Sequence, residues 1–429
     1  MQIFLSIILM LLMLSILTVV HEWGHFIAAR IFKIKVIEFS IFMGPRIWHH
    51  KSEKTGTDFS IRCLPIGGYC AFEDDKGNAD APDSLYSQKW WKRAIVLLAG
   101  VTMNIILALV LSAVVVAFCG HDTNKIVKVE ADSTAEFVGI EAGDRIFKIN
   151  GTRVTNYMDE TLATYGIQDN NDAEEIMESH YDSVYKKADG TKIHYDIKKR
   201  IDSTADKDGK LIIGKCTYDI TAKNLKTGDV KNYRHEMTIG EINKEDYTAE
   251  CGIVKAVDGK VISEETKSLP YTVIGVLGND YIEHIDTKNP LKLVAFGWNE
   301  MISMVKSVYK ALAWLITGKI GLEAVSGPIG LTTVVNDVVV SADVEAKWKI
   351  IEMVYMAALI SANLGVMNAL PFPGLDGCHL LFIVIELLRG GKKIKPETQA
   401  IISNVGLIAL VLFAVVVMGS DILKIVRGG

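Results

Sequence analysis

The stretch "LTVVHEWGHFIAA" (Leu17–Ala29) places two histidines and a glutamate at the end of a long apolar run. The run covers Ile3–Val20 and is interrupted only by the hydroxyl side chains of Ser6, Ser15 and Thr18. Ionisable side chains are costly inside a bilayer, and those found there usually have a function. The stretch therefore predicts both a membrane-spanning helix and a functional site at its end.

The composition fits a membrane protein with more than one structural unit. Of the 429 residues, 49% are hydrophobic, and the mean hydropathy is +0.25. The net charge of -5 and the lack of a basic stripe argue against nucleic acid as a partner. None of the six cysteines belongs to a C-x-x-C pair, which argues against a cysteine-built zinc site. A disulfide between Cys216 and Cys251 is left open.

A membrane-spanning helix needs about 20 mostly apolar residues, and four segments of the chain meet that requirement. A signal peptide is a weaker interpretation of the first segment, since no basic residue precedes Arg30 and no small-residue cleavage site follows. We expect an α-helical polytopic membrane protein with a mainly β domain outside the cytoplasm. The predicted segments are transmembrane helix 1 at 1–32, a membrane-associated β region at 33–93, transmembrane helix 2 at 94–119, the outer domain at 120–290, an interfacial amphipathic helix and linker at 291–349, a broken transmembrane helix 3 at 350–388, a cytoplasmic loop at 389–400, and transmembrane helix 4 with a tail at 401–429.

The distribution of basic residues predicts the orientation of these helices. Lysines and arginines flank the first two spans on one side and follow the third span. Cytoplasmic loops carry an excess of such residues, so this side should be cytoplasmic. Both termini and the outer domain then lie on the other side, and the histidine-containing end of the first span lies near the cytoplasm.

The motif H-E-x-x-H at His21–His25 predicts a metal site. Two histidines four residues apart lie on one face of a helix, so both imidazoles can bind one Zn2+. Glu22 lies beside the metal in this arrangement and can take a proton from water. Catalytic zinc sites have three protein ligands and one open position, so a third ligand must come from elsewhere in the chain.

The candidate third ligands lie in "NLGVMNALPFPGLDGCHLL" (Asn363–Leu381). Asp376 is the acidic residue of this apolar segment, and His379 competes with it. Pro371 and Pro373 cannot continue a helix. A broken helix is tolerated at membrane depth only where protein or a water cavity satisfies its backbone. Such a break can direct a carboxylate towards a metal.

The chain resembles the site-2 proteases, the intramembrane zinc metalloproteases of peptidase family M50. The resemblance rests on H-E-x-x-H at His21–His25 and on N-x-x-P-x-P-x-L-D-G at Asn368–Gly377, in that order along the chain. Cys378 departs from the family pattern, where many members carry glycine, and we expect it to be a packing substitution. The resemblance implies Zn2+ as the cofactor, with His21, His25 and Asp376 as ligands and Glu22 as the general base.

The resemblance also implies a reaction, partners and a location. Such an enzyme lies in the bacterial cytoplasmic membrane with its active site near the cytoplasmic side. It cleaves a single-span membrane protein, such as an anti-sigma factor or a remnant signal peptide, in or near the transmembrane segment. A site-1 protease makes a first cut outside the membrane, as in regulated intramembrane proteolysis.

The β region is predicted to help bind the substrate. "KVIEFSIFMGPRIWHH" and "GTDFSIRCLPIGGYCAF" alternate as strands around the turn "SEKTG". An exposed sheet edge can hold an unwound peptide by strand addition. Gly67, Gly68 and Tyr69 resemble the membrane-associated β region of the family, and the family position of Asn368 implies a contact with the substrate backbone. Asn104 also matches a recurring family position, with packing as its simplest role.

The outer segment is predicted to contain a PDZ-like domain. "STAEFVGIEAGDRIFKING" (Ser133–Gly151) is typical of a strand and turn unit and resembles part of a PDZ domain. The region is longer than one such domain requires. Because the motif occurs once, we favour a single domain with insertions over two tandem domains. The family implies that this domain acts as a size filter for substrates.

Two other functions fit parts of the sequence. One is a catalytically silent, zinc-binding membrane scaffold whose PDZ-like module recruits partners. The intact glutamate of H-E-x-x-H argues against it, since a silent protein needs no base. The other is a metal transporter, which ranks last because the acidic membrane cluster is not repeated along the chain.

Overall fold

In a computed structural model, the chain forms two compact units, one built from Met1–Cys119 and Lys288–Gly429 and the other from Gly120–Thr287. The structure describes residues 2–76, 81–156, 159, 176–205, 211–243, 248–270, 281–321, 325, 327–341 and 344–427.

The first unit consists of packed helices and one β-hairpin. Among the described residues, four helices are long and apolar enough to cross a membrane: the first, the second, the sixth and the eighth. The helices are α1 (Gln2–Ile31), α2 (Trp90–Cys119), α3 (Thr134–Phe137, in the second unit), α4 (Pro290–Ile316), α5 (Pro328–Val340), α6 (Ala346–Ala369), α7 (Asp376–Leu388) and α8 (Pro396–Arg427).

The structure differs from the predicted segments in helix content and in helix ends. The region 291–349, predicted to hold one helix and a linker, contains a second helix, α5, whose Val335 and Val338 are buried against Met10 and Met13 of α1. The loop predicted at 389–400 is shorter, because α8 begins at Pro396. Proline is tolerated in the first turn of a helix, where its missing N–H would have no helical partner.

Helices α1 and α2 approach each other closely beside the histidines. A Cβ atom added at Gly24 would lie 2.7 Å from the carbonyl carbon of Ala99. This is closer than real Cβ atoms approach, so the contact between the two backbones requires glycine. It brings the H-E-x-x-H turn of α1 against the first half of α2.

The break between α6 and α7 lies where the two prolines predicted it. Helix α6 ends at Ala369, and Leu370 is extended with φ −68° and ψ 140°, the conformation that a following proline favours. Helix α7 then begins at Asp376. A Cβ atom at Gly377 would lie 2.5 Å from the Leu370 carbonyl carbon, so the motif glycine lets the new helix start against the end of the previous one.

The predicted hairpin is confirmed as strands β1 (Val36–Lys51) and β2 (Asp58–Phe72). Residues 38–41 of β1 have Cα partners in both halves of β2, at 58–61 and at 68–71. Glu38 of β1 accepts hydrogen bonds from Ser60 Oγ (2.6 Å) and Arg62 Nη2 (2.9 Å) in the first half of β2. Burial alone would raise the pKa of the Glu38 carboxyl, but the hydrogen bonds from Ser60 and Arg62 lower it to about 2.

The second unit is mainly β, as expected. One sheet has the order β11-β10-β9-β8-β7-β6-β4-β3-β12, with β5 paired to β4. Its strands are β3 (His121–Lys128), β4 (Arg145–Ile149), β5 (Thr152–Arg153), β6 (Ile176–Lys186), β7 (Lys192–Ala205), β8 (Leu211–Asn224), β9 (Val230–Asn243), β10 (Thr248–Val257), β11 (Lys260–Pro270) and β12 (Tyr281–Ile285). The stretch Ser133–Gly151 contains α3 and β4, and its likeness to a PDZ domain stays a prediction.

The sheet order excludes the disulfide that the sequence left open. Cys216 on β8 has Met237 of β9 as its Cα partner, and Cys251 on β10 has Ile239 of β9. Strand β9 therefore separates the two cysteines by two inter-strand spacings of about 4.8 Å each, beyond the Cα separation of about 7 Å that a disulfide can bridge. Both thiols are buried and unbridged.

Candidate active site

Three side chains from two distant parts of the chain converge in the first unit. His21 and His25 lie one turn apart on α1, and Asp376 is the first residue of α7. The His21 Nε2 atom lies 2.9 Å from Asp376 Oδ2 and 3.1 Å from His25 Nε2. His25 Nε2 lies 3.2 Å from the same Asp376 oxygen. Among the described residues, these three form the group that could hold a metal ion.

The spacing of these atoms fits a zinc ion. Ligand atoms about 2.0–2.1 Å from a tetrahedral metal lie about 3.3 Å from each other, and the three separations here are 2.9, 3.1 and 3.2 Å. Two imidazoles and one carboxylate are a donor set that zinc accepts, and three protein ligands leave one position for water or substrate.

Glu22 lies beside this group and contacts the hairpin. Its Oε2 atom accepts a hydrogen bond of 3.0 Å from the backbone N–H of Cys70 on β2. The carboxylate also lines a cavity of about 440 Å³ together with His25 and Asp376. A proton acceptor and the metal-binding group therefore share one cavity, which has room for water and a peptide segment.

Asn368 and two of the three predicted hairpin residues lie against the same part of α1. Asn368 Nδ2 is 3.4 Å from His21 Nε2. The Gly67 N–H donates to Ser15 Oγ (3.1 Å), and a Cβ atom at Gly68 would lie 2.9 Å from Val19 Cγ2. Strand β2 therefore lies directly on the first helix, at the turn that leads into H-E-x-x-H.

Tyr69 and His379 have other contacts. The Tyr69 ring lies under the Arg62 guanidinium, 5.4 Å from its carbon to the ring centroid, within the hairpin. The His379 ring packs edge-to-face against Phe382, with the ring centroids 5.6 Å apart. His379 lines the cavity but is not a member of the metal-binding group. Of the two candidate third ligands, the carboxylate is the one that meets both imidazoles.

A buried ion pair joins α2 to the helix that carries Asp376. Arg93 Nη1 lies 2.5 Å from Glu386 Oε2, and both side chains are less than a tenth exposed. The Arg93 guanidinium also lies 5.6 Å from the centroid of the Tyr86 ring. In the sequence, Arg93 serves only as one of the basic residues that predict membrane orientation. The ion pair could not be found from sequence because its partners are 293 residues apart.

The sequence analysis also missed two contacts made by backbone atoms. The N–H of Cys70 binds Glu22, and the carbonyl oxygen of Val96 contacts the His25 ring. Backbone groups carry no residue-type signal, so no motif could indicate them. Gly100 and Asn104 lie four residues apart on α2, so the sequence does place them on one face of that helix.

Comparisons with known proteins find relatives that match nearly the whole chain. The sequence model of peptidase family M50 matches residues 9–413. A protein assigned as a zinc metalloprotease in Clostridium acetobutylicum is 27% identical over 419 residues, covering 98% of each chain. One from Fusobacterium nucleatum is 26% identical, covering 96% of this chain and 97% of its own. Zinc metalloprotease RasP of Shouchella clausii is 25% identical over 449 residues, covering 96% of this chain and 97% of its own.

Proposed function

This chain belongs to peptidase family M50, the site-2 protease family, and is a multi-pass membrane zinc metalloprotease; from that premise we propose that it is an intramembrane endopeptidase. Its substrate is a single-span membrane protein, such as an anti-sigma factor or a remnant signal peptide, cut in or near the transmembrane segment. The observation that carries the proposal is the convergence of His21, His25 and Asp376 beside Glu22.

The residues of the site divide the chemistry between them. His21, His25 and Asp376 would hold the zinc ion, since their donor atoms and spacing fit it. When bound, zinc lowers the pKa of water and polarises a peptide carbonyl. Glu22 accepts a proton from the attacking water and passes it to the leaving amine. The Cys70 N–H holds the Glu22 carboxylate in place for this transfer.

The hairpin supplies a site for an extended substrate. A helical transmembrane segment satisfies its own amides, so it must unwind before its peptide bonds can be attacked. Residues 68–72 of β2 pair with β1 along one edge, while the Cys70 N–H at the other edge is directed to Glu22. A substrate strand added along that edge lies beside the catalytic glutamate. The amide nitrogen of Asn368 lies 3.4 Å from His21 Nε2, and it can donate a hydrogen bond to the backbone of this substrate strand.

The orientation follows from loop charge. The basic residues between α1 and α2 and after α7 favour an orientation with the Glu22 end of α1 near the cytoplasm. The second unit then lies outside, where a PDZ-like module can exclude substrates whose outer portion is intact. A site-1 protease that removes this portion would act first, and the substrate would reach Glu22 only afterwards.

The direct test uses Glu22→Gln, which keeps the shape of the side chain and removes the base. The purified chain, in liposomes, is given a single-span reporter that lacks its outer portion. We expect one zinc per chain to remain and the cleavage rate to fall by a factor of about 10²–10⁴. Glu345→Gln is the matched control, because that glutamate is exposed at the start of α6.

Two results would overturn the proposal. If Glu22→Gln cleaves the reporter as fast as the parent, Glu22 is not the general base and the proposed mechanism is wrong. Cleavage by neither the parent nor the variant, with zinc retained in both, supports the silent scaffold instead.

A further inference from the structure

One face of α2 lies against both histidines of H-E-x-x-H. Val96, Gly100 and Asn104 are spaced four residues apart and are all buried. Residues at this spacing lie above one another on a helix. Val96 and Asn104 contact the Nδ1 atoms of the two rings, which face away from Asp376, and Gly100 lies against Nε2 of His25 and Cε1 of His21.

Val96 determines which nitrogen of His25 carries the proton. The His25 Nδ1 atom lies 2.8 Å from the Val96 carbonyl oxygen. A carbonyl oxygen can only accept, so Nδ1 carries the hydrogen and donates it. His25 Nε2 is then the nitrogen with a lone pair, and it is the one that lies 3.2 Å from Asp376 Oδ2.

Asn104 has the corresponding position at His21. Its amide group is fully buried, and the amide nitrogen is 3.3 Å from His21 Nδ1. The other amide atom, Oδ1, has no hydrogen-bond partner among the described residues. A buried acceptor without a donor loses its hydrogen bonds to water and gains none, so this orientation of the amide is unfavourable.

A half-turn of the amide about its terminal bond gives the oxygen a donor. It exchanges Oδ1 and Nδ2, which are nearly identical in shape. The oxygen then accepts from His21 Nδ1–H, and His21 Nε2 keeps its lone pair towards Asp376. Both histidines thus acquire the same arrangement, a proton on Nδ1 that is donated to an oxygen of α2.

Gly100 and Ser361 hold this arrangement in register. A Cβ atom at Gly100 would lie 2.5 Å from His25 Nε2 and 2.8 Å from His21 Cε1, so only glycine leaves room for the rings. Ser361 Oγ on α6 donates to the backbone oxygen of Asn104 (2.8 Å). Helix α6 therefore helps to fix the position of Asn104 relative to His21 on α1.

We propose that Asn104 is a positioning residue that fixes the tautomer and ring orientation of His21, as the Val96 carbonyl does for His25. Outer partners of this kind raise the basicity of a metal-binding histidine and restrict its ring. The α2 face of Val96, Gly100 and Asn104 is thus the outer support of the metal site. This inference rests on the proposed ligand roles of His21 and His25.

The experiment measures zinc binding to the full chain in detergent by competition with a chelator, which needs no catalytic activity. Asn104→Leu is similar in size and cannot accept a hydrogen bond, so we expect its zinc affinity to fall 10–100-fold. Asn104→Asp keeps an oxygen acceptor and should stay within about threefold of the parent. Ser112→Ala is the control, a buried hydroxyl on the same helix that contacts Met304 instead.

The absorption spectrum of the Co2+-loaded chain provides a second readout, because its visible bands report the ligand geometry. We expect altered bands for Asn104→Leu and parent-like bands for Asn104→Asp and Ser112→Ala. Should Asn104→Leu fail to fold, Asn104→Ala takes its place in the same comparison. Parent-like affinity and spectrum in the variant without an acceptor, or equal losses in Asn104→Asp, would overturn the inference.

His21→Ala separates this inference from the proposed function. If His21→Ala binds zinc like the parent, the ligand set itself is wrong and the inference is lost with it. If His21→Ala loses zinc while Asn104→Leu keeps it, only the role of Asn104 is refuted.

Discussion

The ion pair between Arg93 and Glu386 offers a quantitative test of how the broken helix is held. Replacing Glu386 by alanine leaves the Arg93 guanidinium buried without its partner. Both side chains are less than a tenth exposed, and their charged atoms are 2.5 Å apart. Arg93 then keeps its cation–π interaction with the Tyr86 ring, and this interaction is weaker than the lost ion pair with a carboxylate.

Removing one partner of a buried ion pair typically costs about 3–5 kcal/mol. For a unit of this size, each kcal/mol shifts the melting temperature by about 2–4 °C. We therefore expect Glu386→Ala to melt about 6–20 °C below the parent. The double variant Arg93→Met with Glu386→Leu replaces both charges by apolar side chains. Such a replacement is often neutral or stabilising, so it should recover most of the loss.

The assay uses the buried cysteine of α7 as a reporter. Cys378 lies on the same helix as Glu386 and is 2% exposed. In a background with the other five cysteines replaced by alanine, a thiol-reactive dye reports the melting of this helix on heating in detergent. A Glu386→Ala variant that melts within about 2 °C of the parent would refute the reasoning, since that difference corresponds to about 1 kcal/mol or less. A double variant that melts below the single one would refute it as well.

Two further predictions concern packing and pH. Gly24→Ala should destabilise the helical unit by about 1–3 kcal/mol, because the new methyl group meets the Ala99 backbone. Gly419→Ala, which has open space at its Cβ, should stabilise the unit by no more than about 1 kcal/mol; thermal unfolding in detergent compares the two variants. Burial, together with Lys255, lowers the pKa of His235 from 6.5 to about 4, so the second unit should be fully stabilised above pH 6.5 and lose up to about 3 kcal/mol as the pH falls towards 4. Hydrogen exchange of β9 at several pH values, corrected for intrinsic rates, measures this slope, and His235→Asn should abolish it. An unchanged slope in that variant would assign the pH dependence to other groups.

Much of the site could be predicted because its parts are local in sequence. H-E-x-x-H places two imidazoles on one helix face by helix geometry alone. The prolines at 371 and 373 end a helix whatever surrounds them, because proline lacks an N–H and restricts the residue before it. The long apolar runs depend only on the thickness of the bilayer. These rules predicted α1 and the break before Asp376, and the alternation of side chains around the turn SEKTG predicted the hairpin.

The errors and omissions concern contacts between distant segments. Helix α5 lies in the region predicted as a linker, and its Val335 and Val338 pack against α1, which is more than 300 residues away in sequence. The disulfide between Cys216 and Cys251 could be excluded only when β9 was found between their strands. Cysteine spacing along the chain contains no information on strand order.

The sequence by itself determined the membrane helices, the paired imidazoles with their glutamate and the point at which the third span breaks, because helix periodicity and proline stereochemistry act within a few residues. Only the tertiary structure decided that Asp376, rather than His379, meets His21 and His25, that the Cys70 N–H holds Glu22, and that α2 supports both rings. The physical reason is that apolar helices in a bilayer carry little hydropathy signal for their neighbours or register. Those were set by close contacts at glycines and by a few buried polar pairs, such as the one between Arg93 and Glu386.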